Sequence, residues 1–201
     1  WGGGWLAAIG FSDFAGSTLV HSTGGAAALA GIIILGPRFG RFDNKGNPKA
    51  IQPFAASSIP LVTIGVFVLW LGWFGFNGGS QLALGSFADA VAISSIFINT
   101  NLAACGGVLA AAVITRLMFG KTDVVQMLNG AIGGLVAITA EPLAPSPLAA
   151  ILIGAMGGVI VVFGTKLLFS FKLDDVVGAI PAHMFAGIFG TLVVPITNAD
   201  A

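Results

Sequence analysis

Charge is what this sequence has least of. Of its 201 residues only 8% are Asp, Glu, Lys or Arg, while 56% are hydrophobic and the mean hydropathy is +0.99. Soluble domains carry about a quarter charged residues, and a third of that share cannot clothe a surface that faces water. An ordinary soluble protein is thereby excluded. The few charges cancel, eight acids against eight bases, so no net positive field invites nucleic acid. Cysteine is nearly missing: Cys105 stands alone, which rules out an intrachain disulfide and leaves the redox compartment unread. Histidine occurs only as His21 and His183. No leader is evident at the start. The chain opens on Trp1-Gly-Gly-Gly-Trp5 with neither Met nor a basic segment, and the expectation is that it starts inside a longer protein.

What the sequence has in quantity is uninterrupted apolar chain. Six stretches read as membrane helices, at about 14–35, 53–76, 88–118, 124–140, 147–168 and 176–196. The expected fold class is therefore all-α, a polytopic membrane protein of six transmembrane helices. The fourth stretch is short, as a helix that is inclined or shielded by protein would be. Thirty glycines are threaded through these runs. In lipid, small residues let helix backbones approach closely, and packing drives association there.

The loops sort by charge. Arg38, Arg41, Lys45 and Lys49 follow the first span, Arg116 and Lys121 follow the third, and Lys166 and Lys172 close the fifth. The other side holds only acids: Asp13, Asp89, Glu141 and Asp200. The positive-inside rule predicts that the basic loops are cytoplasmic, in a cell membrane. Trp1, Asp13 and the loop at 77–85 are then extracellular or periplasmic.

One pattern occurs twice. Asp13-Phe-Ala-Gly16-Ser-Thr-Leu-Val-His21-Ser-Thr-Gly-Gly25 and Asp175-Val-Val-Gly178-Ala-Ile-Pro-Ala-His183-Met-Phe-Ala-Gly187 both fit Asp-x2-Gly-x4-His-x3-Gly. The first and sixth spans are an odd number of crossings apart, so they run in opposite directions. That is the mark of an inverted repeat, whose site is expected at the midplane. Each Asp opens a helix, where a carboxylate meets free N–H groups and the positive end of the dipole. Each His follows eight residues later, roughly 12 Å deeper at 1.5 Å per residue. Both imidazoles are thus expected at similar depth, beside the small residues Ser17, Gly24 and Gly25 on one helix and Ala179 and Gly187 on the other.

A polar group in mid-membrane points to function unless it only bonds neighbouring helices, and both readings stand on the spacing alone. Two histidines without a third ligand make a poor metal site, and no Ser or Cys sits as a nucleophile beside them. No metal, cofactor or enzymatic activity is expected. Imidazole suits a pore, since each ring is donor and acceptor at once. Burial disfavours charge on the rings, so the pair is expected to stay neutral or to share one proton.

These residues resemble a known family. The stretch from Asp13 to Gly25 is similar to the signature of the ammonium transporters (Amt/Mep/Rh), Gly72-Trp-Phe-Gly-Phe-Asn-Gly-Gly-Ser80 resembles a second characteristic segment, and Leu173-Asp-Asp-Val-Val-Gly-Ala-Ile-Pro-Ala-His183 a third. The resemblance runs over essentially the whole chain. It implies that His21 and His183 are the twin histidines of a channel and that Asp13 organises an outer recruitment site. There Trp1 would be the aromatic wall and Ser80 the hydroxyl that accepts a hydrogen bond from ammonium. Phe76 would close the outer vestibule with a partner outside this chain, and Trp73 would border the pore. Asp175, Gly16 and Gly178 take cap and structural roles. The family builds its pore from two repeats of five helices and a terminal helix. The resemblance therefore divides this chain into the last helix of the first repeat at 14–35, a cytoplasmic loop at 36–52 and a second repeat of five helices at 53–197, and implies that four helices and the terminal one lie outside it. It also implies a homotrimer and a cytoplasmic regulator.

The function so implied is transport of ammonium or ammonia across a lipid bilayer: the cation is recruited outside, deprotonated, and passed through a narrow apolar tube as ammonia. The alternatives are an ammonium-sensing membrane domain of a signalling protein, a proton-coupled carrier or intramembrane enzyme using Asp13 and the histidines, and gas conduction. One departure from the family pattern is Pro181, whose expected effect is a kink beside His183.

Overall fold

Inside a bilayer no water is present to bond the backbone, so an apolar run must close its own hydrogen bonds as a helix. The runs do so in the computed structural model, which describes residues 3–42 and 54–198. A short turn, α1 (Trp5–Ala8), precedes α2 (Ser17–Leu35), α3 (Ile59–Gly79), α4 (Phe87–Phe119), α5 (Val124–Ile138), α6 (Pro147–Ser170) and α7 (Ile180–Thr197). All but α1 and α5 are long and apolar enough to span a membrane; α5, with 15 residues, is shorter. The chain is a nearly all-helical, multi-pass membrane protein.

The helix starts follow local capping chemistry. Ser58 Oγ accepts from Leu61 N–H ahead of α3, with Pro60 in the first turn where its missing N–H costs nothing. Ser86 and Asp89 form a reciprocal capping box at α4, and Asp123 and Ser146 accept from Gln126 and Ala149 N–H at α5 and α6.

Three spans differ from the sequence reading at one end or both. Spans expected from 14 and 176 begin at Ser17 and Ile180, because Asp13 and Asp175 fold the intervening residues into capping turns. The second span, expected over 53–76, begins at Ile59 and continues through Gly79, so the loop expected from Asn77 opens only at Ser80. Asn77 is wholly buried, with Nδ2–H donating to Thr100 Oγ1 at 3.0 Å, and Gly78 lies against the Phe97 ring. Those contacts hold a last turn that composition alone reads as loop.

Helix α5 is the centre of the bundle, and its residues 130–138 are all buried. Its shortness is thus matched by a protein environment in place of lipid. Glycine carries the packing. A Cβ on Gly107 would strike the Gly130 carbonyl, one on Gly157 the Gly133 carbonyl, and one on Gly154 the Ala103 carbonyl, so α4, α5 and α6 meet backbone to backbone. The outward faces are apolar and exposed, for instance Ile33, Ile34 and Leu35 on α2 and Leu69 and Leu71 on α3, which suits a lipid-facing surface.

Candidate functional site

The two copies of the sequence pattern fold into two copies of one device. Asp13, buried at the start of α2, accepts from the backbone N–H groups of Ser17 (2.8 Å), Thr18 (3.0 Å) and Leu19 (2.9 Å). Asp175 accepts from Gly178 and Ala179 N–H (both 3.0 Å) and Ile180 N–H (2.8 Å). Between carboxylate and helix the chain must reverse sharply, and Gly16 and Gly178 do this at φ +113 and +78, a region open to glycine. Each helix then starts as a wide π turn, Ser17–Ser22 and Ile180–Phe185, before tightening to α geometry. His21 N–H, bonded to Gly16 O at 3.0 Å five residues back, marks the widening. Such turns re-aim side chains and gather at functional sites. Each contains one histidine.

The two helices cross antiparallel. Gly25, four residues after His21, leaves no room for a Cβ against Met184; Gly187, four residues after His183, leaves none against Ser17 and Ser22. Every position in this reciprocal contact is set by its distance from a histidine. The outcome is a direct bond: His21 Nδ1 and His183 Nδ1 stand 3.1 Å apart, with ring centroids at 5.2 Å. Two equivalent nitrogens hydrogen-bond only when one carries the proton, so one ring leaves its Nε2 as an acceptor and the other as a donor. His21 Nε2 is buried and bonds no described protein group.

Aromatic residues of α3 border the pair. Trp73 stacks on His21 at 4.9 Å and 15°, and Phe76 approaches the same ring at 5.4 Å while remaining 38% exposed. One turn on, Ser80 Oγ–H donates to Phe76 O at 2.8 Å, which leaves the hydroxyl lone pairs as acceptors. The structure thus gathers His21, His183, Trp73 and Phe76, puts Ser80 a turn beyond Phe76, and sets Asp13 and Asp175 beneath the two π turns. Trp1 lies outside the described residues. Pro181, expected to kink the span beside His183, sits in the first turn of α7, where its missing N–H breaks no ladder bond, and His183 reaches its partner. Among the described residues no cluster of three or more metal-ligating side chains occurs.

Sequence reading missed the residues that hold Trp73. Its Nε1–H donates to Thr139 Oγ1 at 2.9 Å; Thr139 Oγ1 also lies 3.2 Å from Asn77 Oδ1, and Asn77 continues to Thr100. All three are buried on α3, α4 and the end of α5; Asn77 falls in the same family-like segment as Trp73, whereas Thr100 and Thr139 had no signal but polarity within apolar runs.

A sequence profile of the Ammonium Transporter Family matches residues 1–201. Ammonium transporter Amt2 of Archaeoglobus fulgidus is 46% identical over 202 residues, covering 96% of this chain and 42% of the relative. Among solved structures, one titled "Sensor Amt Protein" superposes with a TM-score of 0.89 at 37% identity, covering 96% of this chain and 46% of that one. Candida albicans Mep2 superposes at 0.85 and 31% identity, covering 98% and 41%. The chain spans less than half the length of the relatives it matches. With a family profile along its whole length and these folds superposing on it, the chain belongs to the Ammonium Transporter Family, a family of transport proteins and not of enzymes.

Proposed function

We propose that this chain supplies one wall of a conduction path for ammonium or ammonia. The carrying observation is the 3.1 Å contact between imidazoles delivered by oppositely running spans. Ammonium matches potassium in charge and approximate size but can give up a proton. At the outer mouth, aromatic faces and the Ser80 hydroxyl replace part of its hydration by cation–π contact and hydrogen bonding; Trp1 and Phe76 are the aromatic residues assigned there. Carrying the whole charge to mid-membrane costs several kcal/mol or more. Release of a proton removes that cost, and ammonia then passes the histidine pair through hydrogen bonds, accepting from an N–H and donating to a bare ring nitrogen. Potassium has no equivalent route.

Asp13 holds the turn that aims His21, and Asp175 does the same for His183. The basic loops are assigned to the cytoplasm and Ser80 to the opposite side. A relative named as a transporter and the Mep2 folds favour transport over sensing, although a structure titled as a sensor shares the architecture. The test is uptake of radiolabelled methylammonium, with parallel potassium flux, in proteoliposomes holding the protein that carries this chain. His21→Glu is expected to admit potassium. Unchanged ammonium flux with potassium still excluded would refute the selectivity mechanism.

A further inference from the structure

The conduction path makes no use of Asp174, yet its side chain is only 1% exposed and densely bonded. Arg38 donates three times to it: backbone N–H to Oδ2 at 3.0 Å, Nε–H to Oδ2 at 2.7 Å and Nη2–H to Oδ1 at 2.9 Å. Arg41 Nε adds an ion contact at 3.2 Å to Oδ1, without hydrogen-bond geometry. Aromatic rings back both guanidinium groups, Phe54 beneath Arg38 at 4.7 Å and Phe169 beneath Arg41 at 4.9 Å. A forked, partly desolvated Arg–carboxylate pair of this kind is directionally rigid.

Its place in the chain gives it a consequence. Arg38 lies three residues beyond the end of α2, the helix of His21. Asp174 immediately precedes Asp175, whose carboxylate holds the first N–H groups of the helix of His183. Adjacent Cα atoms are about 3.8 Å apart, so a locked Asp174 leaves Asp175 little freedom. The clamp thus joins the end of one histidine helix to the beginning of the other. The histidine contact has little slack, because a hydrogen bond at 3.1 Å is lost once the rings part by about half an ångström.

We propose that Asp174 is a positioning residue for the histidine pair, with the Arg38–Asp174 clamp setting, through Asp175, where the π turn of α7 presents His183. The inference rests on the transport reading for its functional readout and on coordinates for an independent one. Asp174→Asn, Arg38→Gln and the double variant are compared in proteoliposomes, with flux normalised to folded protein. Each single variant is expected to lower the maximal rate at least fivefold, the double variant no further, and the half-saturation concentration to stay fixed, because recruitment occurs at the other face. Arg38→Lys, which keeps the charge and loses the fork, is expected to fall between. If Asp174→Asn does not accumulate, Arg38→Lys carries the test. A structure of the tested variant is expected to show the imidazole nitrogens beyond 3.5 Å, and this holds even if the unmodified protein proves not to conduct ammonium. A wild-type maximal rate, an additive double variant, or an unchanged 3.1 Å contact each overturns the proposal.

Discussion

Gly25→Ala is the sharpest perturbation of the crossing on which the site depends. A Cβ at Gly25 would lie 2.6 Å from Met184 N and 2.9 Å from Met184 Cα, backbone atoms that cannot rotate away. Ordinary contact begins near 3.4 Å, so α2 and α7 must separate by about 0.8 Å at this point. Carried to the histidines, that displacement stretches a 3.1 Å contact to about 3.9 Å, outside hydrogen-bond range. Overpacking of this kind costs about 1–3 kcal/mol. The neighbouring Gly24 is the control, since a Cβ there meets nothing within 4 Å. Two assays are read together in purified, reconstituted protein: thermal unfolding in detergent and methylammonium uptake per folded molecule. Gly25→Ala is expected to lower the unfolding temperature by several degrees and to cut uptake at least tenfold, while Gly24→Ala matches wild type in both. Wild-type uptake by Gly25→Ala, or equal losses in the two variants, refutes the claim that backbone contact at this crossing holds the histidines together.

Thr139→Val leaves Trp73 Nε1–H without its acceptor in a buried site and is expected to cost about 1–3 kcal/mol in chemical denaturation, with Thr139→Ser close to wild type; a Val variant of wild-type stability would show that the Trp73 bond contributes nothing. The clamp also makes a pH prediction. Hydrogen bonding from Arg38, reinforced by its charge and that of Arg41, holds the Asp174 carboxyl below the ordinary value of 3.8. The folded chain therefore binds that proton less readily than the unfolded one, so the contribution to stability is complete above pH 3.8 and disappears as pH falls through the lower folded value. Melting curves from pH 7 to 3 are expected to be flat with respect to this group until about pH 4 and to drop below it, with a shallower drop in Asp174→Asn; parallel acid profiles in the two proteins would show that the clamp is not the titrating element.

The fold and much of the site were legible because they rest on pattern. Apolar run length located the six helices to within a few residues except at α3, where the caps at Ser58 and the burial of Asn77 shifted both ends. The repeated Asp-x2-Gly-x4-His-x3-Gly was enough to bring His21 and His183 together, since helix direction and spacing fix depth. The π turns were not readable, for they arise from the competition between the carboxylate, which takes the first N–H groups, and a left-handed glycine, which resets the start of the ladder. Nor were Thr139, Asn77 and Asp174 readable. Each is defined by a partner at least 23 positions away, and neither a polar residue in an apolar run nor a place in a recurring segment says whom it meets.

The inverted frame has a last chemical consequence. A two-fold relation brings the same atom, Nδ1, of both rings into contact, and a hydrogen bond between identical atoms cannot share that symmetry. One proton occupies the gap, and which ring owns it is open in the scaffold and settled by the far nitrogens. If a proton leaves the Nε2 of one ring while another reaches the Nε2 of its partner, the shared proton crosses the gap and the pair is restored in reversed form. Protonation of both rings is different in kind: two Nδ1–H groups would then point at each other across 3.1 Å, with Trp73 stacked on the face of His21. That arrangement disfavours charge on both rings at once, and the close approach at Gly25 and Gly187 is what keeps the two helices in it. On the conduction reading proposed above, a pair held this way would hand a proton along or refuse it, and would offer nothing to a cation that keeps its charge.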